Sequence, residues 1–283
     1  MTEIELSNEE RQNGLLSADN LGRARTALLT DGFVVLLDVV DTQHIAKLRG
    51  KMLDDVAVIL ARNNVPTQFA KGNIQQDPPP LAPYLFRDVL VNDYVIQVTK
   101  SVLGSGLHNS FYSGNTNLPG SQPQPVHADY GQLWPNLEVA HPAFSYVVNL
   151  PVVDMDVHNG STEIWPGTHT DPSVYWQSGD IKVAPDLLEM RRKDVPPLQP
   201  KVRAGSVLIR DMRLWHRGVS NPSDQPRPMI AMIHNVAWFP GAELEMPVGT
   251  ESVFQHGDLT TRVRYVQGDI DYLRRHEAYD VQK

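Results

Sequence analysis

The feature that most constrains the fold is a change in the hydrophobic pattern near residue 106. Before this point apolar residues recur at helical spacing, and after it short β-branched segments alternate with glycine, proline, asparagine and aspartate. Helices followed by many short strands are typical of an α+β protein built on a β-sandwich or jelly roll. We therefore predict a mainly β protein with flanking helices.

The elements can be placed approximately from these patterns. A short helix is expected to end near Gly32, a longer one to begin at Thr42, and a third to cover residues 92–103. Strands are expected at residues 107–112, 144–150, 161–165, 206–209 and 229–239.

A single domain over residues 1–283 accommodates these elements. Its parts are a mostly helical segment (1–105), a core (106–240) with a polar, proline-containing insertion (171–200), and a C-terminal extension (241–283). Within the extension, the charged residues 271–279 favour a helix. The proline-rich loop 63–83 fits either a binding loop or a plain connection.

Charge and hydropathy exclude several classes of partner. The formal net charge is −8 and the longest basic run is a pair, so we expect no nucleic-acid partner. The first ten residues are polar and acidic, unlike a targeting peptide, and no apolar stretch is long enough to span a bilayer. We therefore expect a cytoplasmic protein without a membrane segment.

The sequence contains no cysteine. Disulfides, thiolate metal sites and cysteine nucleophiles are therefore excluded. A metal would have to be held by histidine and carboxylate, which indicates iron, manganese or a histidine-rich zinc site.

A histidine followed two residues later by an aspartate is a candidate metal motif, because residues i and i+2 of a strand point to the same side. The sequence has three copies: His127-Ala-Asp129, His169-Thr-Asp171 and His256-Gly-Asp258. The second copy opens the strand-poor insertion, and the third has only one histidine after it. The first has several predicted strands between it and the next suitable histidine, as a jelly roll requires, so we favour it. Alone, it would also fit an ordinary surface turn.

His216 is the matching distant ligand, at the end of a predicted strand. Eleven residues later Arg227 opens the next strand, after a turn at residues 220–224. This arrangement is expected to place Arg227 beside His216 on the neighbouring strand. A guanidinium there could bind a dicarboxylate through two hydrogen bonds, although a surface ion pair is the plain alternative.

Several motifs in this order together resemble the phytanoyl-CoA dioxygenase family, over roughly residues 20–240. They are Asp31-Gly-Phe-Val-Val-Leu, His127-x-Asp129, Asp156-x-x-Asn159-Gly160, Pro166-Gly-Thr-His169, and His216 followed at plus eleven by Arg227.

The resemblance implies a double-stranded β-helix (jelly-roll) core and Fe(II) bound by His127, Asp129 and His216. It implies that Arg227 binds the far carboxylate of 2-oxoglutarate, which is converted with O2 to succinate and CO2 while the substrate is hydroxylated, desaturated or rearranged. The branch that modifies terpenoid and meroterpenoid natural products is the most similar. That likeness implies that Gln124 and Thr162 contact 2-oxoglutarate near its metal-chelating end.

The family likeness also carries weaker expectations. A homodimer fits it, and the carboxylate of Asp129 disfavours halogenation, because related halogenases have a small residue at that position. Phe111, Tyr130 and Trp134 are candidate residues of an apolar substrate pocket, although aromatic residues beside strands more often belong to the core.

Three other readings remain open. One is an acyl-CoA hydroxylase similar to phytanoyl-CoA dioxygenase itself, which the negative charge makes less attractive than an enzyme for a neutral terpenoid-like molecule. Another is a cupin-like metal isomerase or hydrolase that does not use 2-oxoglutarate. The last is a catalytically inactive jelly-roll binding partner.

Overall fold

A computed structural model describes residues 1–280 of the protein. The N-terminal part contains most of the helices, with three short strands among them. Its elements are β1 (Glu3–Glu5), α1 (Asn8–Asn13), α2 (Ala18–Thr30), β2 (Phe33–Leu37), α3 (Thr42–Leu60), β3 (Asn73–Gln75), α4 (Arg87–Leu90) and α5 (Asp93–Leu103). Asp41 and Asn92 cap α3 and α5 through side-chain oxygens that accept backbone N–H groups, as such residues commonly do at helix starts.

Strands dominate the remainder of the chain. They are β4 (Leu107–Asn117), β5 (Ser145–Pro151), β6 (Glu163–Ile164), β7 (Val207–Asp211), β8 (His216–Arg217), β9 (Arg227–Asn235), β10 (Leu244–Pro247), β11 (Leu259–Thr261) and β12 (Val263–Val266), with α6 (Pro185–Asp194) between β6 and β7. The prediction of a sheet-dominated protein with flanking helices is confirmed.

The large sheet has the strand order β1-β2-β7-β5-β9-β4-β11, with β3 added beside β4. One face packs against α2, α3 and α5 around a buried apolar cluster that includes Leu28, Leu48, Val98, Val148 and Ile230. Because side chains alternate along a strand, the neighbouring residues of β5, β7 and β9 point to the opposite face. That opposite face forms one wall of the functional site.

A second, smaller layer forms the other wall. Strand β6 pairs with β8, and short bridges extend this layer on both sides. His127 bridges both His216 and Lys182, while Ile164 bridges Leu198. The segment 171–200, which the sequence predicts as an insertion, contributes to this layer. Its residues 181–183 and 198 form backbone hydrogen bonds with the edges of the layer.

The prediction of a helix at residues 271–279 is wrong. This segment lies as an irregular strap against the loop 63–83, where the Phe69 N–H donates to the Tyr279 carbonyl oxygen (2.9 Å) and the Tyr279 N–H donates to Thr67 (2.8 Å). His276 also contacts the buried carboxylate of Asp77 at 2.6 Å. Bonds to the loop thus replace the bonds of a helix. Residues 281–283 of the predicted extension lie outside the described residues.

The expected pairing of His216 with Arg227 on neighbouring strands is also wrong. β8 pairs with β6, whereas β9 pairs with β4 and β5 in the large sheet. The turn between β8 and β9 carries the chain from one layer to the other, so the two side chains approach the same cavity from opposite walls. Across residues 1–280, no helix has the length and apolarity needed to cross a bilayer.

Candidate active site

His127 and His216 lie directly opposite each other in the small layer. Each backbone N–H donates to the carbonyl oxygen of the other residue, at N···O distances of 3.0 and 2.9 Å. They therefore form a hydrogen-bonded pair of an antiparallel ladder, whose side chains project to one side. Their ring centroids are 4.5 Å apart.

The tautomer of both imidazoles follows from their backbone contacts. Nδ1 of His127 lies 2.8 Å from the Pro125 carbonyl oxygen, and Nδ1 of His216 lies 2.9 Å from that of Leu214. A carbonyl oxygen can only accept, so each Nδ1 carries a hydrogen, which leaves Nε2 of the neutral ring as the nitrogen that can bind a metal. Burial, together with the adjacent His216, lowers the pKa of His127 to about 3, which keeps its ring neutral.

Asp129 brings a carboxylate to the same point. Its Oδ1 lies 3.4 Å from Nε2 of His216 and 3.9 Å from Nε2 of His127, and the three potential ligand atoms lie within 4.8 Å of one another. Burial alone would raise the pKa of Asp129, but the charge of Arg210 and the adjacent His216 hold that pKa well below its usual range. Two imidazole Nε2 atoms and one ionised carboxylate form a donor set that fits Fe(II).

The two competing histidine-aspartate motifs do not form such a group. His169 is buried, with Nε2 3.2 Å from the Leu29 carbonyl oxygen, and His256 contacts Asp93 near the surface at 3.0 Å. Within residues 1–280, no second set of three histidine or carboxylate ligands converges.

The three candidate ligands line a cavity of about 370 Å³ between the two layers. Arg227 lines the same cavity from the large sheet and is almost entirely buried. Its Nη1 contacts the sulfur of Met155 at 3.4 Å, and its Nε has no hydrogen-bond partner among the described residues. Burial lowers the pKa of Arg227 to about 10. A buried cation without a counter-charge is costly, so this position fits an anionic ligand such as a carboxylate.

Gln124 also lines the cavity. Its Oε1 accepts a hydrogen bond from the Gly218 N–H (2.8 Å), and its Nε2 donates to the Gln68 carbonyl oxygen (3.1 Å). The side chain is thereby held between the segment that follows His216 and the loop 63–83.

Thr162 is a further lining residue, on the segment that leads into β6. Two residues before it, the Gly160 carbonyl oxygen lies 3.4 Å from Nδ2 of Asn117. Asn117 faces Arg227 in the ladder between β4 and β9. We call the part of the cavity formed by Arg227, Gln124 and Thr162 the polar end.

The other part of the cavity is lined mainly by hydrophobic side chains and is called the apolar end. It contains Phe111, Tyr130, Val147, Met212 and Ile233. Ile233 lies six residues beyond Arg227 on β9, which separates the two ends by about 20 Å along the strand. Two of the three predicted pocket residues, Phe111 and Tyr130, are therefore at the cavity.

Trp134 does not line the cavity, contrary to the prediction. Its side chain is 53% exposed and its ring lies edge-on against His141, 5.4 Å away. The backbone of Tyr175 packs against Gly131 and leaves no space for a side chain there. Trp134 lies on the outer surface of this loop.

Two residues that contact the candidate metal ligands were not found from the sequence. Arg210 on β7 donates to Asp129, and its position in the apolar run Val-Leu-Ile-Arg-Asp was an available signal, since a charge within a buried strand needs a partner. Phe69 packs its ring 4.5 Å from that of His127. It adopts a φ of +59°, which its sequence context does not predict.

Comparison with known proteins decides the family. The sequence matches the phytanoyl-CoA dioxygenase (PhyH) family over residues 28–229. The chain belongs to this family. Membership confirms, at the level of family, the predicted oxidoreductase class and its cofactors, Fe(II) and 2-oxoglutarate with O2.

A curated relative agrees with this assignment. The chain is 31% identical over 143 residues to dioxygenase af480 of Aspergillus fumigatus, a match that covers 49% of this chain and 40% of that protein. The matched segment thus spans less than half of the relative.

Solved structures show the same fold at low sequence identity. AviO1 from Streptomyces viridochromogenes has a TM-score of 0.60 at 19% identity, covering 80% of this chain and 100% of AviO1. HygX from Streptomyces hygroscopicus, solved with nickel, 2-oxoglutarate and hygromycin B bound, has a TM-score of 0.56 at 14% identity, covering 87% and 97%. The carbocyclase SnoK from nogalamycin biosynthesis has a TM-score of 0.58 at 17% identity, covering 90% and 95%. These likenesses confirm the jelly-roll core.

Proposed function

We propose that this protein is an Fe(II)- and 2-oxoglutarate-dependent dioxygenase that oxidises an apolar small molecule in natural-product biosynthesis, with a terpenoid-like compound as the substrate class. The proposal rests mainly on one observation. Three convergent ligand atoms share one cavity with a buried arginine that has no carboxylate partner among residues 1–280. A site for a divalent cation next to a site for a carboxylate suits a co-substrate that uses both.

In this proposal His127, Asp129 and His216 hold the metal. With both bound, Fe(II) and 2-oxoglutarate supply the oxidising chemistry, in which 2-oxoglutarate and O2 give succinate and CO2 while a substrate C–H bond is oxidised. Arg227 binds the far carboxylate of 2-oxoglutarate, and Gln124 and Thr162 offer hydrogen bonds nearer to the metal.

The apolar end orients the substrate. Phe111 and Tyr130 contribute aromatic faces, and Val147, Met212 and Ile233 complete an apolar surface, beside which the charge of Arg210 is paired with that of Asp129. Such a surface excludes water from the reacting carbon and binds hydrocarbon through burial. Hydroxylation is the default outcome, while desaturation and rearrangement depend on how the substrate is held.

The lining favours a neutral natural product over an acyl-CoA thioester. Among the described residues, the arginines that line the cavity are Arg210, which pairs with Asp129, and Arg227, which belongs to the polar end. Neither is free for the phosphates of coenzyme A. The structural neighbours support natural-product biosynthesis in general, because SnoK belongs to nogalamycin biosynthesis and HygX was solved with hygromycin B bound.

The first experiment tests the cofactors alone. Apoprotein is mixed anaerobically with Fe(II), and 2-oxoglutarate is then added while the visible spectrum is recorded. We expect a charge-transfer band that appears only with both components and is absent from His216→Ala. A folded wild-type protein without this band would disprove the dioxygenase and favour either a metal enzyme that does not use 2-oxoglutarate or an inactive binding partner.

The second experiment tests the substrate class. Neutral terpenoids and medium-chain acyl-CoA thioesters are compared for their ability to stimulate succinate formation by the Fe(II)-loaded enzyme. We expect stimulation by members of the first set alone. Stimulation by the acyl-CoA set alone would replace the natural-product proposal with the acyl-CoA hydroxylase.

A further inference from the structure

Arg210 crosses the cavity from one layer to the other. It lies on β7 of the large sheet, opposite Val147 of β5, and its Nη2 donates to Oδ2 of Asp129 at 2.6 Å. Its Nε donates to Oδ1 of Asn149 at 3.1 Å. The side chain is 7% exposed. Two directed hydrogen bonds therefore fix a planar guanidinium beside a candidate metal ligand.

The two oxygens of Asp129 have different surroundings. Oδ2 is occupied by Arg210, while Oδ1 is the oxygen that lies nearest Nε2 of both His127 and His216. A carboxylate whose second oxygen is held in a short charge-assisted hydrogen bond offers one oxygen to a metal rather than two.

We propose that Arg210 is a positioning residue that keeps Asp129 a one-oxygen ligand and so preserves the coordination position that 2-oxoglutarate or O2 requires. This inference rests on the proposed function of the site. Two imidazoles and one carboxylate oxygen leave half of an octahedral ion open, whereas a carboxylate bound through both oxygens would take one more position.

Because Arg210 is charged, its loss should affect the affinity for the metal and the affinity for 2-oxoglutarate differently. Arg210 offsets the negative charge of Asp129, so removing it makes the ligand set more attractive to a divalent cation. Loss of Arg210 should therefore leave metal affinity unchanged or increased while it weakens 2-oxoglutarate. A residue that merely supports the fold would, when lost, weaken both.

Titrations with Co(II) measure both affinities without catalytic turnover. Apoprotein is titrated anaerobically with Co(II), whose visible absorption reports coordination number, and the loaded protein is then titrated with 2-oxoglutarate. The variants are Arg210→Met and Arg210→Lys. Arg217→Met is the matched control, because Arg217 also pairs with a carboxylate, Glu163, in the small layer but does not contact Asp129.

We expect Arg210→Met to bind Co(II) at least as tightly as wild type, because the lost cation no longer opposes the divalent ion. It should bind 2-oxoglutarate about tenfold more weakly, with an altered Co(II) spectrum. Arg210→Lys should recover part of the 2-oxoglutarate affinity, and Arg217→Met should change neither affinity by more than about twofold. Parallel loss of both affinities in Arg210→Met, or no change in either, would overturn the inference.

A second variant covers the case in which Arg210→Met does not fold. Asn149→Ala removes only the hydrogen bond to Nε of Arg210 and keeps the charge, so it should leave Co(II) affinity unchanged and weaken 2-oxoglutarate by a smaller factor than Arg210→Met. Parallel weakening in Asn149→Ala would also overturn the inference. If wild type binds Co(II) but not 2-oxoglutarate, the proposed function fails, whereas the Co(II) spectra of wild type and Arg210→Met still test how Asp129 binds.

Discussion

The polar and apolar ends of the cavity are built in different ways. At the polar end, Gln124 is held by hydrogen bonds to backbone atoms. Arg227 is buried, and its Nε has no hydrogen-bond partner among the described residues. At the apolar end, Tyr130 and Phe111 are only partly buried and are held by contacts between rings and aliphatic side chains. A few hydrogen bonds thus define the polar end, while many apolar contacts define the apolar end. Substitutions at the polar end should strongly weaken the binding of 2-oxoglutarate alone. Substitutions at the apolar end should weaken the binding of the substrate to a smaller extent.

The candidate metal ligands lie between the two ends, and their loss should have the largest effect. Replacing His216 or Asp129 by alanine should lower succinate formation at least about a thousandfold, because each variant removes one of the three proposed metal ligands. Asp258→Ala is the matched control, since it removes the aspartate of another histidine-aspartate motif at an exposed position. Retention of substantial succinate formation by His216→Ala would mean that the cation lies elsewhere.

The next largest effect is expected at Arg227. Arg227→Met should raise the KM for 2-oxoglutarate about a hundredfold, which corresponds to about 3 kcal/mol for a lost pair of charge-assisted hydrogen bonds. The dissociation constant of the substrate should not change. Arg227→Lys should restore part of the affinity, because it keeps the charge and loses the planar fork. If the Met variant affects substrate and 2-oxoglutarate equally, the two ends are not separate sites.

The sequence predicts the features that depend on local patterns and misses those that depend on contacts between distant segments. The helices α3 and α5 and the strands β5, β7 and β9 follow from local periodicity and capping residues, and the candidate metal ligands follow from a two-residue spacing in a strand. The pairing of β8 with β6 and the strap at residues 271–279 depend on contacts between segments far apart in the chain. Local patterns carry no information on such contacts. The charge within β7 indicates that Arg210 needs a partner, but it does not indicate that the partner is Asp129.

A moderate effect is expected at the apolar end. Phe111→Ala and Tyr130→Ala should each raise the KM of the substrate about tenfold, because each removes one to two kcal/mol of apolar burial. Affinity for 2-oxoglutarate, measured with the substrate absent, should remain within about twofold of wild type. A large loss of 2-oxoglutarate affinity in either variant would show that the aromatic residues support the polar end as well.

The smallest effect is expected at Trp134, which makes a sharp test of where the apolar end stops. Trp134→Ala should change the substrate KM less than about twofold, because the side chain is half exposed and does not line the cavity. The informative comparison is Trp176→Ala, since the Trp176 ring stacks on Tyr130 with centroids 4.0 Å apart. That variant should raise the KM several-fold by freeing Tyr130. An effect of Trp134→Ala as large as that of Tyr130→Ala would extend the substrate surface beyond the cavity onto the outer loop.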